Sequence, residues 1–290
     1  MAEQKFRTMT ASETSSTAWE PITPRGVAAF AGARFGRLLL VQLIVALLAA
    51  GAFVWFVDNN CFPLIGTAVQ KLPATGEIRS GRLDWFGGSP ELLAEGRVLK
   101  FDVDLDHSGQ IGPTSDVQVE FGRKTIRVFS LFGYMDWPYP HGYVIACNRN
   151  QLEPLWGAWA AVLLLIAGGT VTICLLFSWW LLATLYFLPV WLLGLYINRD
   201  LNFRRSWRLA GAALMPGAFL MAAAVVLYGI GFWGLVSFLF AFAAHFLIGW
   251  IYLVVSLLFV PRLPAQKRNP FAAAPRRSLN PFRPRQRDEE

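Results

Sequence analysis

The sequence predicts a mainly α, polytopic membrane helix bundle, four spans plus a bent interfacial helix, with a small extracytoplasmic antiparallel β domain between the first two spans. Three observations carry that prediction. The chain is 55% hydrophobic and only 16% charged, the balance of a polytopic membrane protein rather than a globular one. Leu155 to Ile197 runs for 43 residues without an Asp, Glu, Lys, Arg or His, more than the ~20 residues needed to cross ~30 Å of hydrocarbon once. Between Asp58 and Pro154, by contrast, apolar residues recur with period two, the mark of half-buried strands.

Taken in order, residues 1–37 form a polar tail and juxtamembrane helix, with Pro24 suited to a first helical turn and Arg34 and Arg37 at the foot of the first span. Residues 38–57 are that span, interrupted only by Gln42 and closed by Trp55 at an interface. Residues 58–154 are the extracytoplasmic β domain. Leu99, Phe101, Val103 and Leu105 alternate with Lys100, Asp102 and Asp104, and Val117, Val119 and Phe121 with Gln118 and Glu120. With turn residues at His107 to Gln110 and at Gly122 to Lys124, the pattern predicts two successive hairpins, apolar side inward. Gly76 to Arg79 and Arg82 to Trp85 add shorter strands. Ser130 to Tyr143, holding Trp137-Pro138-Tyr139-Pro140, is expected to be a Pro-broken aromatic segment on the bilayer surface or over the sheet.

Residues 155–180 are the second span and 181–197, with Pro189 inside, a bent interfacial or re-entrant extension. A basic loop follows at 198–208, then spans at 209–228, kinked at Pro216, and at 232–260, then a basic tail at 261–290 of unfolded composition. Charge decides the topology. With the long stretch crossing once, the N-terminal segment, the loop and the tail share one side and hold 17 of the 26 Lys and Arg, including Arg34, Arg37, Arg199, Arg204, Arg205, Arg208 and Arg262. The domain's 9 basic residues are outweighed by 12 acidic ones. The positive-inside rule then puts both termini in the cytoplasm and the domain outside the cytoplasmic (inner) membrane. Trp156 and Trp159, and Trp179 and Trp180, mark its two interfaces.

Cys61 follows the first span and Cys147 precedes the second, so chain ends lying side by side predict a disulfide closing the domain's neck. Asp104 to Ile111 matches the first half of a calcium loop, but the twelfth position is Ser115 where a bidentate Glu is needed. A turn explains the same letters. His245 is the one His, Asp, Glu, Lys or Arg inside a span, expected to bond a neighbouring helix. No nucleophile–base set, metal cluster or phosphate loop is present in the sequence, which predicts a protein that is not an enzyme and takes no cofactor. The basic residues flank apolar spans, so their expected partners are anionic lipids of the bilayer at the loop and tail, with a protein partner besides, rather than nucleic acid. Asn269-Pro270-Phe271 and Asn280-Pro281-Phe282 repeat within the tail.

Leu72-Pro73 leading into Gly76-Glu-Ile-Arg-Ser-Gly-Arg-Leu, the Asp104 to Gly109 turn, and Phe203-Arg-Arg-Ser-Trp-Arg-Leu-Ala-Gly-Ala-Ala-Leu-Met-Pro216 together carry a resemblance over residues 35–260. In pattern the chain resembles a bacterial membrane-protein family grouped with the Yip-type superfamily and met near maltodextrin-utilisation genes. The resemblance implies a helix bundle with an inserted external β domain and no catalytic residues. The functional expectation is a non-enzymatic partner-binding, scaffold or accessory protein of an envelope process. The alternatives are a transporter or channel subunit, with His245 and Pro216 on its path, and a ligand sensor acting through the β domain.

Overall fold

A computed structural model describes residues 19–263 of the chain. The expectations for the first 18 residues and for the tail beyond Leu263, including the Asn-Pro-Phe repeat, lie outside the described residues. Within them the protein is mainly helical, and four of its helical stretches are long and apolar enough to cross a membrane.

The first helix begins where a side chain can satisfy a free backbone group. Thr23 caps α1 (Pro24–Phe30) by accepting from Gly26 N at 3.1 Å, with Pro24 at a position whose N–H would have no partner. The first long apolar helix is α2 (Phe35–Asn60), which stops for one residue at Cys61 and resumes as α3 (Phe62–Lys71). Pro63 explains the interruption, because it lacks the N–H that would close the turn onto the Asn59 carbonyl. The helical run therefore reaches well past residue 57, where the apolar pattern alone would end it.

In place of a crossing over 155–180 and a bent extension over 181–197, α4 (Arg149–Tyr196) is one helix of 48 residues running through Pro154 and Pro189. At ~1.5 Å per residue it is ~72 Å long, over twice a ~30 Å hydrocarbon layer. Packing keeps its last turns helical past Pro189: Phe187 and Trp191 lie against the Phe203 ring at 5.9 and 4.8 Å, and Gly194 is close to Leu201.

The basic loop is shorter than expected, because Asn202 accepts from Arg205 N at 2.9 Å and starts α5 (Phe203–Ala213) within it. After a one-residue break at Leu214, α6 (Met215–Gly229) continues the same apolar stretch. Pro216 accounts for the break, since the Ala212 carbonyl loses its donor. The last helix is α7 (Leu235–Leu257), inside the expected 232–260. Small residues let these helices approach: a Cβ added to Gly211 would lie 3.2 Å from Gln42 Nε2 and 3.6 Å from Ala183 Cβ, and one on Gly217 2.9 Å from the His245 carbonyl. Gln42 is buried and donates to Gly211 O at 3.2 Å, so it joins two helices rather than reaching the interface.

The β domain stands at the opposite end of the bundle from the basic segments, on two sheets. One has the order β2-β1-β8, from β1 (Gly76–Arg79), β2 (Arg82–Trp85) and β8 (Val144–Ala146). The other runs β3-β4-β5-β6-β7, from β3 (Glu91–Glu95), β4 (Leu99–Val103), β5 (Val117–Phe121), β6 (Thr125–Ser130) and β7 (Gly133–Pro138). The second expected hairpin is present as β5–β6. The first is not: β4 and β5 pair in parallel, so the sheet is mixed rather than antiparallel. The residues from Asp104 to Asp116 form a crossover of the dozen or so that parallel neighbours need. Gly133–Pro138, within the aromatic segment at 130–143, is strand β7. Leu64, Ala68 and Leu72 of α3 and its C-cap pack with Leu93, Ala94, Phe101 and Val103, covering the apolar side of the sheet near β3 and β4.

Candidate functional site

The polar side of the five-stranded sheet is the most unusual feature of the domain. Period two places Lys100, Asp102, Gln118 and Glu120 on one face, opposite the side expected to turn inward in half-buried strands. It is buried instead: these four and Asp104 are between 0 and 3% exposed. The crossover from Asp104 to Asp116 folds over them and supplies partners. Lys100 Nζ donates to Gly112 O at 2.8 Å and Thr114 Oγ1 at 2.9 Å. Asp104 Oδ2 accepts from Ser108 Oγ at 2.7 Å and Gly109 N at 3.1 Å, closing the turn that resembled half a calcium loop. His107 bonds Glu120 through Nδ1 and Thr125 Oγ1 through Nε2, the latter at 3.1 Å. Gly122 permits that arrangement, since a Cβ there would lie 2.4 Å from the imidazole.

The pairing register extends the charges into a row, Asp102 beside Glu120, Glu120 beside Arg127, Arg127 beside Asp136. Arg127 and Asp136 form a two-pronged ion pair at 2.7 and 3.0 Å, which holds the Asp136 carboxyl below its usual range. Asp102 is the unbalanced member. Gln118 Nε2 donates to its Oδ1 at 2.8 Å, yet its Oδ2 and Gln118 Oε1 are buried without hydrogen-bond partners. Burial, with Glu120 and Asp104 nearby, raises the Asp102 pKa from 3.8 to about 6, against the pull of the Gln118 bond and Lys100. For Asp104, burial is outweighed by its hydrogen bonds from Ser108 and from backbone N–H groups, and its pKa is lowered.

A second constellation joins the domain to the bundle. On the β3–β4 turn Arg97 donates to Tyr228 O near the end of α6, and its guanidinium lies 4.6 Å from the Tyr228 ring centroid. Tyr228 OH donates to Asp116 Oδ2 at 2.6 Å, while Arg97 and Asp116 are 3.8 Å apart. The three side chains form a closed latch. None was singled out from the sequence; Tyr228 at a span end beside Gly229 was the available signal.

The third feature is β7, the edge strand. All six of its residues are exposed, among them Tyr134 at 64% and Trp137 at 61%. The β6–β7 turn beside it presents Leu131 and Phe132.

The predicted site residues divide as follows. Cys61 and Cys147 are both free, correcting the expected disulfide. The chain ends do run side by side, but Cys147 N donates to Gly76 O and Arg149 N to Pro73 O. Helix α3 thus sets Cys61 ten residues below the neck, ~15 Å along the helix. Cys147 packs with Ile78, Leu83 and Tyr139, and burial pushes its thiol up to about 11. His245 bonds the Phe242 carbonyl on its own helix, not a neighbouring one, and lines a cavity of about 320 Å³ with Ser178, Tyr186 and Trp250. Pro216 sits at the α5–α6 break and Pro189 within α4. The basic residues gather at the end away from the domain: Arg208 donates to Ala33 O at 2.7 Å, the Arg199 backbone forms an antiparallel bridge with that of Arg262 while its side chain donates to Val260 O at 2.8 Å, Arg205 binds Asp200 at 2.6 Å, Arg34 precedes α2, and Arg37 lies over Trp19. Trp179 is buried in the bundle, whereas Trp159 and Trp180 are exposed. Among the described residues no group of three His, Cys, Asp or Glu side chains is placed to hold a metal.

No family model, curated protein or solved structure matches the chain.

Proposed function

We propose that the chain is a non-enzymatic integral protein of the bacterial cytoplasmic membrane that holds an extracytoplasmic β domain on its bundle and binds a protein partner through β7. The observation that carries this reading is the exposed apolar edge. Tyr134, Met135 and Trp137 face outward on a strand with one unpaired ladder edge, a surface that recruits an added strand or an apolar partner face. Membrane embedding is supported by the four apolar stretches and by the large apolar side chains exposed along them, such as Leu47, Leu48, Leu165, Ile173 and Phe240. The orientation is supported by the gathering of basic residues at one end. It also agrees with the family that the sequence resembles.

Met135→Ser with Trp137→Ser tests the edge without touching the latch. The expected result is loss of a partner that co-purifies in mild detergent with the unaltered chain; an unchanged set of partners refutes the assignment to β7. Cysteines introduced at Gln110 and Phe203 test orientation, because reagent added outside intact cells modifies only the first in the proposed topology. A His245→Ala variant with altered solute flux would favour a channel subunit instead.

A further inference from the structure

At the basic end of the bundle, between α2, α4 and α5, lies a cavity of about 540 Å³, within the range of small-molecule sites. Its walls are aromatic: Phe35 from α2, Trp180 and Phe187 from α4, and Trp207 from α5. Phe35 and Trp207 rings are 5.7 Å apart, and Trp207 Nε1 donates to Thr184 Oγ1 at 3.1 Å, fixing the indole. Phe35 and Trp180 remain about half exposed, so the cavity opens sideways from the bundle.

Two guanidinium groups line the same space, and their bonding is incomplete. Arg204 and Arg208 stand four residues apart on α5, a like-charge spacing that disfavours the helix when nothing lies between. Neighbouring Arg205 has Asp200 as its counter-ion. Arg204 has no hydrogen-bond acceptor or ion-pair partner among the described residues, and no carboxylate lines the cavity. Arg208 uses Nη1 on Ala33 O, while its Nε is buried without an acceptor. The cavity thus combines an apolar, laterally open floor with two cations lacking an anion, at the end of apolar helices.

We propose that this cavity binds one anionic phospholipid, its phosphate between Arg204 and Arg208 and its proximal acyl chain against Phe35, Trp180 and Trp207. The charge supplies the selectivity: guanidinium donors match phosphate oxygens, and a zwitterionic lipid brings its own cation into the same place. The proposal rests on the membrane-embedded reading and narrows its general lipid contact to one site.

Native mass spectrometry of the full chain, delipidated in mild detergent and titrated with phosphatidylglycerol, phosphatidylcholine or inorganic phosphate, tests it. The expected result is a single retained phosphatidylglycerol, bound about tenfold more tightly than phosphatidylcholine, the factor supplied by one charge-assisted hydrogen bond. Arg204→Gln removes a side chain that has no partner in the fold and should erase that preference. Arg262→Gln, at the same end but outside the cavity, should leave it intact. Equal losses in the two variants, or equal binding of the two lipids, would overturn the site in favour of diffuse surface charge. Inorganic phosphate that displaces phosphatidylglycerol stoichiometrically would overturn the lipid as occupant. Recovery of the chain in soluble extracts without detergent would instead sink the membrane reading, a separate outcome.

Discussion

Replacing Asp102 by Asn should stabilise the β domain near neutral pH. The carboxyl is fully buried, with Oδ2 unpartnered and its pKa raised from 3.8 to about 6. A raised folded-state pKa means that the fold favours the protonated form. Its stabilising contribution is present below pH ~4, where folded and unfolded chains both hold the proton, and is lost as pH rises through about 6. At 1.36 kcal/mol per pH unit the interval is worth ~3 kcal/mol. Asn keeps an oxygen for the Gln118 N–H and places an N–H donor where Oδ2 has none, at nearly constant volume. Loss of the attraction to Lys100 offsets part of the gain, leaving ~2 kcal/mol at pH 7.5. Hydrogen exchange of residues 99–103 and 117–121, measured on the full chain in detergent and corrected for intrinsic rates, reads the opening free energy directly. The unaltered protein should lose protection between pH 4 and 6.5, and the variant should stay flat and higher at pH 7.5. A variant less protected than the parent at pH 7.5 would refute the reasoning, since Asp102 would then be a net stabilising charge.

Tyr228→Phe removes the hydroxyl bond to Asp116 and should release the domain from the bundle at a cost of ~1 kcal/mol, raising exchange at residues 95–98 and 114–116 without altering strands β1 and β2. Gln42→Leu loses the bond to Gly211 O and should lower bundle stability by ~0.6–1 kcal/mol in a detergent unfolding titration, the usual worth of a polar contact between apolar helices in a membrane. Gly122→Ala puts a methyl 2.4 Å from the His107 ring and should cost ~1–3 kcal/mol by separating His107 from Glu120, seen as a lower thermal midpoint.

Much of the architecture is legible in the residues, and the misses have physical causes. The strands at Gly76–Arg79 and Arg82–Trp85 follow from turn residues and local pattern. Asn148 and Asn202 start α4 and α5 as Asx residues do. Period two, however, separates two faces without saying which is buried. At Lys100 and Asp102 the answer lies in Gly112, Thr114 and Ile111, which reach the polar face only because β4 and β5 run parallel. Cys61 and Cys147 are separated by a helix that Pro63 announces, but its effect is tertiary. Pro189 is accommodated in α4 by the Phe203 contacts of another helix, which no window of α4 contains. The latch is harder still, since Arg97, Asp116 and Tyr228 are brought together only by the folded chain.

The crossover that covers Asp102 is also the segment that ends on the latch. It begins at Asp104, beside the buried carboxyls, and reaches Asp116, whose Oδ2 holds Tyr228. Its middle is anchored through Lys100 to Gly112 and Thr114. Loosening the crossover by ionising Asp102 therefore frees the group that ties domain to bundle, and breaking the latch frees the far end of the cover over Asp102. Such shared elements make mutational effects non-additive. Asp102→Asn should raise protection at residues 114–116 at pH 7.5 in the unaltered background and by less in a Tyr228→Phe background, with a coupling of ~0.5–1 kcal/mol. Additive effects within ~0.3 kcal/mol would mean that the polar face and the docking contact open independently.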